Sequence, residues 1–127
     1  MNGQRVLAQV IRTQAATARP GFDVDDVLQG VVDEAQALTG AEAAVVVLRG
    51  RGRITSERQG SHTESSLQVP LPPTAPTSGA LAVYSGSERQ FTADDRQVLE
   101  LLAGLIGATL TRAALDARSS FLIPHHH

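Results

Sequence analysis

The sequence predicts an α+β fold: an antiparallel sheet of about four strands, with two N-terminal helices and one long C-terminal helix packed on one face. Three observations predict it. Two segments of helical periodicity open the chain, four short β-type runs separated by turn residues follow, and a long capped amphipathic segment closes it. The β runs come as two hairpin-like pairs, so the strands are antiparallel and one side of the sheet is free to meet water.

Each element has its own reason. In residues 4–18, Val6, Leu7, Val10, Ile11 and Gln14 recur at i, i+3, i+4 spacing with arginine and glutamine opposite, the signature of an amphipathic helix. Arg19-Pro20-Gly21 breaks it. A second helix begins at Asp23, an N-cap residue, with Asp25 and Asp26 in the first turn where the positive end of the helix dipole favours them. Phe22 and Val27 are spaced as a hydrophobic staple. The buried stripe is predicted as Val24, Val27, Leu28, Val31, Ala35 and Leu38, and Gly40 supplies the stop.

Residues 43–48, AAVVVL, form a nearly continuous apolar run whose β-branched triplet predicts a strand covered on both faces. Arg49-Gly50-Arg51-Gly52-Arg53 turns the chain into a weaker strand over 54–58, polar enough for a sheet edge. Leu67, Val69 and Leu71 then alternate with Ser66, Gln68 and Pro70, a half-buried strand whose proline points to the other edge or an early end. After a turn over 72–79, residues 80–84 return with Leu81 and Val83 on one face and Ala80, Ala82 and Tyr84 on the other. Thr92 and Asp95 form a capping box for a last helix expected to run to Arg118, roughly 40 Å at 1.5 Å per residue, long enough to overhang a small domain.

Composition narrows the chemistry. The chain has 127 residues, of which 1–118 are read as a single domain with its N-terminal helix at 4–18 and its core at 23–115. Residues 119–127 read as a disordered tail or vector scar ending in a histidine tag, with Phe121–Pro124 of either origin. No cysteine is present, which removes disulfides, thiolate nucleophiles, zinc–thiolate sites and thioether-linked chromophores, and fits a reducing cytoplasm. All 11 basic residues are arginine, the mark of a GC-rich coding bias. The net charge of −2, with signs interspersed, gives no field for nucleic acid or anionic membranes. The most apolar window, 98–110, contains Glu100 and is shorter than the about 20 residues a bilayer span needs, so it reads as a buried helix. No signal peptide is visible, and a cytoplasmic location is expected.

The combination Val69-Pro70-Leu71, Gly79-Ala80-Leu81-Ala82-Val83-Tyr84 and Phe91-Thr92-Ala93-Asp94-Asp95, followed by Leu99, Leu102, Ala103, Ile106 and Leu110, resembles the C-terminal half of a GAF domain. Upstream, Asp26-Val27-Leu28 through Leu38-Thr39-Gly40-Ala41 resembles that family's helix leading into its first strand, so the likeness spans about 23–115. The resemblance implies a GAF/PAS-like regulatory module that commonly dimerises through its terminal helices. One departure stands out. The family usually places pocket-covering short helices before the VPL-type strand, and here only residues 59–65 occupy that place, too few for a helical lid. The ligand cavity is expected to be open or missing.

No catalytic group emerges. His62 lies in a serine-rich loop without metal-ligand partners, Arg49, Arg51 and Arg53 read as a solvated hairpin tip, and both Asp pairs sit in first helical turns. Ser56, Ser65 and Ser66 lack a triad setting, and there is no phosphate-binding glycine loop. The family's methionine sulfoxide reductases need cysteine, and the Asn-Lys…Phe…Asp-Glu signature of its cyclic-nucleotide branch is missing. The expectation is a non-catalytic domain of a larger bacterial signalling protein that needs no cofactor and no metal. It would dimerise through Val6, Val10, Ile11, Leu99, Ile106 and Leu110, with an output domain linked or separate. A small-molecule sensor is the alternative, its ligand or partner face formed by Arg58, His62, Gln68 and Tyr84. Ala103, Gly104, Gly107 and Ala108 would let another backbone approach the last helix, either from the same chain or from a second copy.

Overall fold

The computed structural model describes residues 2–19, 21–57, 65–86 and 90–122. Three helices and four strands follow in the order α1 (Asn2–Thr17), α2 (Val24–Thr39), β1 (Ala43–Leu48), β2 (Gly52–Glu57), β3 (Ser65–Pro70), β4 (Gly79–Ser85) and α3 (Ala93–Leu122). The strands make one antiparallel sheet in the order β2-β1-β4-β3. The polar second strand and the proline-terminated third are therefore the two edges, and the AAVVVL run is central.

Local signals work as the sequence predicts. Asp26 N–H donates to Asp23 Oδ1 at 3.2 Å, starting α2. At its far end Gly40 takes φ 66°, a left-handed value that costs an L side chain about 1 kcal/mol or more, and Ala41 N–H donates to Gln36 O at 3.1 Å. The α3 capping box is reciprocal: Asp95 N–H donates to Thr92 Oγ1 at 3.1 Å, and Thr92 N–H donates to Asp95 Oδ2 at 2.9 Å.

Register divides the sheet into two faces. Val46 stands opposite Leu81 and Ile54, and Leu81 opposite Val69, so these side chains share the inner face. α2 and α3 cover that face, and α1 lies on α2 and α3 without touching a strand among the described residues. Leu28, Val31, Val46, Leu81, Leu99 and Ile106 are all fully enclosed in this layer. The structure adds Val32, which the predicted α2 stripe omits, as another enclosed residue, while Val24 and Val27 are half-buried.

Side chains of α2 hold the β2 edge. Gln29 Nε2 donates to Thr55 O at 2.9 Å, and Ser56 donates its hydroxyl to Gln36 Oε1. An unpaired strand edge invites pairing with another chain, and these bonds occupy part of it. Arg51, in the β1–β2 turn, reaches Asp25 at 3.0 Å and ties that turn to the start of α2.

Two expectations about the helices change. α1 is rotated relative to its predicted phase: Val6, Gln9 and Thr13 are buried, whereas Leu7 and Ile11 are 59% and 58% exposed. The polar pair tolerates burial because Gln9 Nε2 donates to Thr13 Oγ1 at 3.2 Å and Arg12 donates to Gln9 Oε1 at 2.8 Å. Gly30 of α2 faces this pair and leaves room for Gln9. α3 also runs beyond Arg118 to Leu122, so the backbone of 119–122, read from sequence as tail, is helical. At 1.5 Å per residue its 30 residues extend about 45 Å.

By length and composition α3 meets the requirement for a membrane-crossing helix over Ala93–Ala117. Its Leu99, Leu102, Ile106 and Leu110 are nevertheless packed into the core, which accounts for the apolarity without a bilayer.

Candidate functional site

The outer face of the sheet is built in cross-strand rows. Ala43, Tyr84 and Ser66 form one; Thr55, Val45, Ala82 and Gln68 the next; Arg53, Val47, Ala80 and Pro70 the third. Small alanines of β4 next to valines of β1 leave a trough between the taller residues. The result is a shallow cavity of about 370 Å³ lined by Val45, Val47, Arg49, Gln68, Ser78, Gly79, Ala80, Ala82 and Tyr84. That volume is within the range of small-molecule sites, about 300–1,000 Å³.

The floor is apolar and its rim is polar. Val45 and Ala82 are buried, and Val47 is 47% exposed. At one end, Arg49 is fixed through its backbone: its N–H donates to Ser78 O at 3.0 Å, and its carbonyl accepts from Thr77 Oγ1, also at 3.0 Å. Gly79 supports this end by close approach, since a Cβ there would stand 2.3 Å from Val47 O. At the other end Tyr84 is half-buried, and its carbonyl accepts from Glu42 N–H at 2.9 Å.

Of the four residues expected on a ligand or partner face, the structure brings Gln68 and Tyr84 to this cavity. Arg58 and His62 lie outside the described residues, as does nearly all of the short 59–65 connection. Sequence reasoning missed Arg49 and Gly79. Their common signal is the β1–β4 register, which places Val47 opposite Ala80 and Leu48 opposite Gly79, and which spacing along the chain does not encode.

The residues expected at a helical interface divide. Val6, Leu99, Ile106 and Leu110 are buried in the core of the single chain and Val10 packs partly against it, whereas Ile11 is exposed. The outward apolar groups on the same two helices are Leu7 and Ile11 on α1, with Leu101 and Leu115, each 53% exposed, on α3. The small residues of α3 divide likewise. Ala103 and Gly107 face inward, and a Cβ at Gly107 would stand 3.3 Å from Pro72 Cδ, while Gly104 has nothing within 4 Å of a Cβ position and Ala108 is exposed.

A second hollow of about 540 Å³ lies between the end of α1 and the start of α2, lined by Arg19, Asp23 and Asp26 among others. Its polar groups include the cap of α2, with Asp23 accepting from Asp26 N–H. No cluster of three or more His, Asp or Glu suited to a metal occurs among the described residues.

No family model matches the sequence, and no curated protein matches it. Among solved structures, eleven chains match. One is the crystal structure of the GAF domain of a protein described as a sensor histidine kinase from Pseudomonas syringae pv. tomato. It is 19% identical, with a TM-score of 0.67 over 93% of this chain and 94% of that chain. At that identity the likeness establishes architecture, and this chain has the GAF fold.

Proposed function

We propose that the chain is a non-catalytic regulatory domain of a larger bacterial signalling protein, soluble and cytoplasmic, which acts by dimerising through α1 and α3. The observation that carries this reading is the apolar surface those helices turn away from their own core. Leu7 and Ile11 are one turn apart on α1. On α3, Leu101, Ala108 and Leu115 recur every seven residues, with Gly104 and Thr111 between them, the a/d spacing of a helical seam. Exposed leucines singly are ordinary, but here four large apolar groups are exposed at helical spacing on two helices that touch each other. A second copy would cover it in a bundle about a two-fold axis.

The fold neighbour supports the signalling context, since it is a domain of a protein described as a sensor kinase. The length of α3 supplies a mechanical link: a change in how the paired helices pack would be carried along α3 to an output domain. Light scattering at micromolar concentration tests the reading. A dimer mass is expected, and a monomer at high protein concentration overturns it.

The second reading, a small-molecule sensor, is favoured by the apolar cavity on the outer sheet face. Ligand occupancy there would bias the sheet against α2 and α3 and so reach the same helices. A thermal-shift screen of metabolites tests it, with a stabilising hit expected and a uniform lack of shift against it.

A further inference from the structure

Resting on the sensor reading of that face, we infer that the outer-sheet cavity takes an elongated amphipathic anion: an apolar body of about ten carbons with a carboxylate at the Arg49 end. Shape and chemistry agree on this class. At about 30 Å³ per water, the 370 Å³ space holds on the order of a dozen heavy atoms. Its length follows β4. Tyr84 and Ser78 are six residues apart, about 20 Å at 3.3 Å per residue, so the site is a trough and not a round pocket.

Charge is set at one end only. Arg49 lines the cavity, and Arg53 stands in the same cross-strand row as Val47 and Ala80. Neither guanidinium has an ion-pair partner among the described residues, in contrast to Arg51 of the same hairpin, which is held by Asp25. Among the described residues no carboxylate lines the cavity. The middle is Val45, Val47, Ala80 and Ala82, which offers methyl groups and no donor. At the far end stand the Tyr84 hydroxyl and the Gln68 amide, neither bonded to another side chain among the described residues, which can meet a second polar group or water. A compact polyanion such as a nucleotide would place phosphates over the apolar floor. A neutral hydrocarbon would leave two cations unused.

Tyr84 is the only tyrosine and the chain has no tryptophan, so intrinsic fluorescence reports this cavity alone. Decanoate below its micelle concentration, titrated into the whole chain, should change that fluorescence saturably, and decanol should bind at least about fivefold more weakly. Arg49→Gln, an exposed position, should remove the preference by weakening decanoate about five- to tenfold with little effect on decanol. Ala80→Ile, which fills the trough with a strand-favouring side chain, should abolish both responses while leaving the thermal midpoint within a few degrees. Equal binding of decanoate and decanol, unchanged by Arg49→Gln, overturns the anion assignment but leaves a sensor of neutral ligands. No response to either probe overturns the cavity and the sensor reading together. Co-sedimentation with phosphatidylglycerol vesicles, lost in Arg49→Gln, would also overturn the inference, because the face would then bind a lipid surface instead of a free molecule.

Discussion

Replacing Leu101 by alanine separates the outward face of α3 from its core. Leu101 is 53% exposed and its neighbour Leu102 is fully enclosed, so one residue of chain separates two different roles. Complete burial of a leucine is worth about 1.5–3 kcal/mol, and covering the exposed half in a dimer is worth roughly 0.8–1.5 kcal/mol. A two-fold interface contains the residue twice, giving a loss of about 1.5–3 kcal/mol. Each 1.4 kcal/mol is a factor of ten, so the dimer Kd should rise roughly 10- to 150-fold. Sedimentation velocity across a concentration series measures it. Below the dimer Kd, where both proteins are monomeric, the urea midpoint of the variant should stay close to wild type, because surface changes on a helix usually fall within about 0.5 kcal/mol. Leu102→Ala should behave in the opposite way, losing about 2–5 kcal/mol of folding stability. A Kd shift below about threefold for Leu101→Ala would refute the assignment of this stripe to an interface.

Other expectations follow from single contacts. Thr92→Ala removes one half of the α3 capping box and should lower stability by about 1 kcal/mol in urea denaturation, with helix content retained. Gly79→Ala puts a methyl against Val47 O and should cost about 2–3 kcal/mol, since a backbone atom in a central strand has little room to yield; an unchanged midpoint would contradict the close approach. Gly104→Ala, where nothing lies within 4 Å, should stabilise the isolated domain by up to about 1 kcal/mol through helix propensity, read from its thermal midpoint.

Much of the architecture is legible in the chain because local chemistry decides it. The triplet Val45-Val46-Val47 specifies a central strand, Pro70 a strand end, and Asp23, Gly40, Thr92 and Asp95 the helix ends, each through an interaction within a few residues. What spans the chain is less legible. The phase of α1 follows from Gly30, 21 residues past Gln9 on another helix, and from a Gln9–Thr13–Arg12 set that satisfies itself. Hydrophobicity alone counts Leu7 and Ile11 as inner and Gln9 and Thr13 as outer, so it turns the helix the wrong way. The cavity has the same character. Gln68 and Tyr84 are visible as the outward members of their strands, but Arg49 joins them only through pairing with the far end of β4. The four small residues of α3 look alike in sequence, and only the packing, Pro72 against Gly107 and the burial of Ala103, shows which two face the protein.

The proposed dimer sets α3 of one copy against α3 of another along the Leu101–Leu115 side, and the chain's lack of cysteine makes a direct measurement simple. A single cysteine at Gly104, in open space on that side, should form an intermolecular disulfide on mild oxidation, giving a covalent dimer on a non-reducing gel. A single cysteine at Gln68, on the outer sheet face, serves as the comparison. Cross-linking through position 104 should be rapid and near-complete, with little through 68. Cross-linking no faster at 104 than at 68 would contradict it.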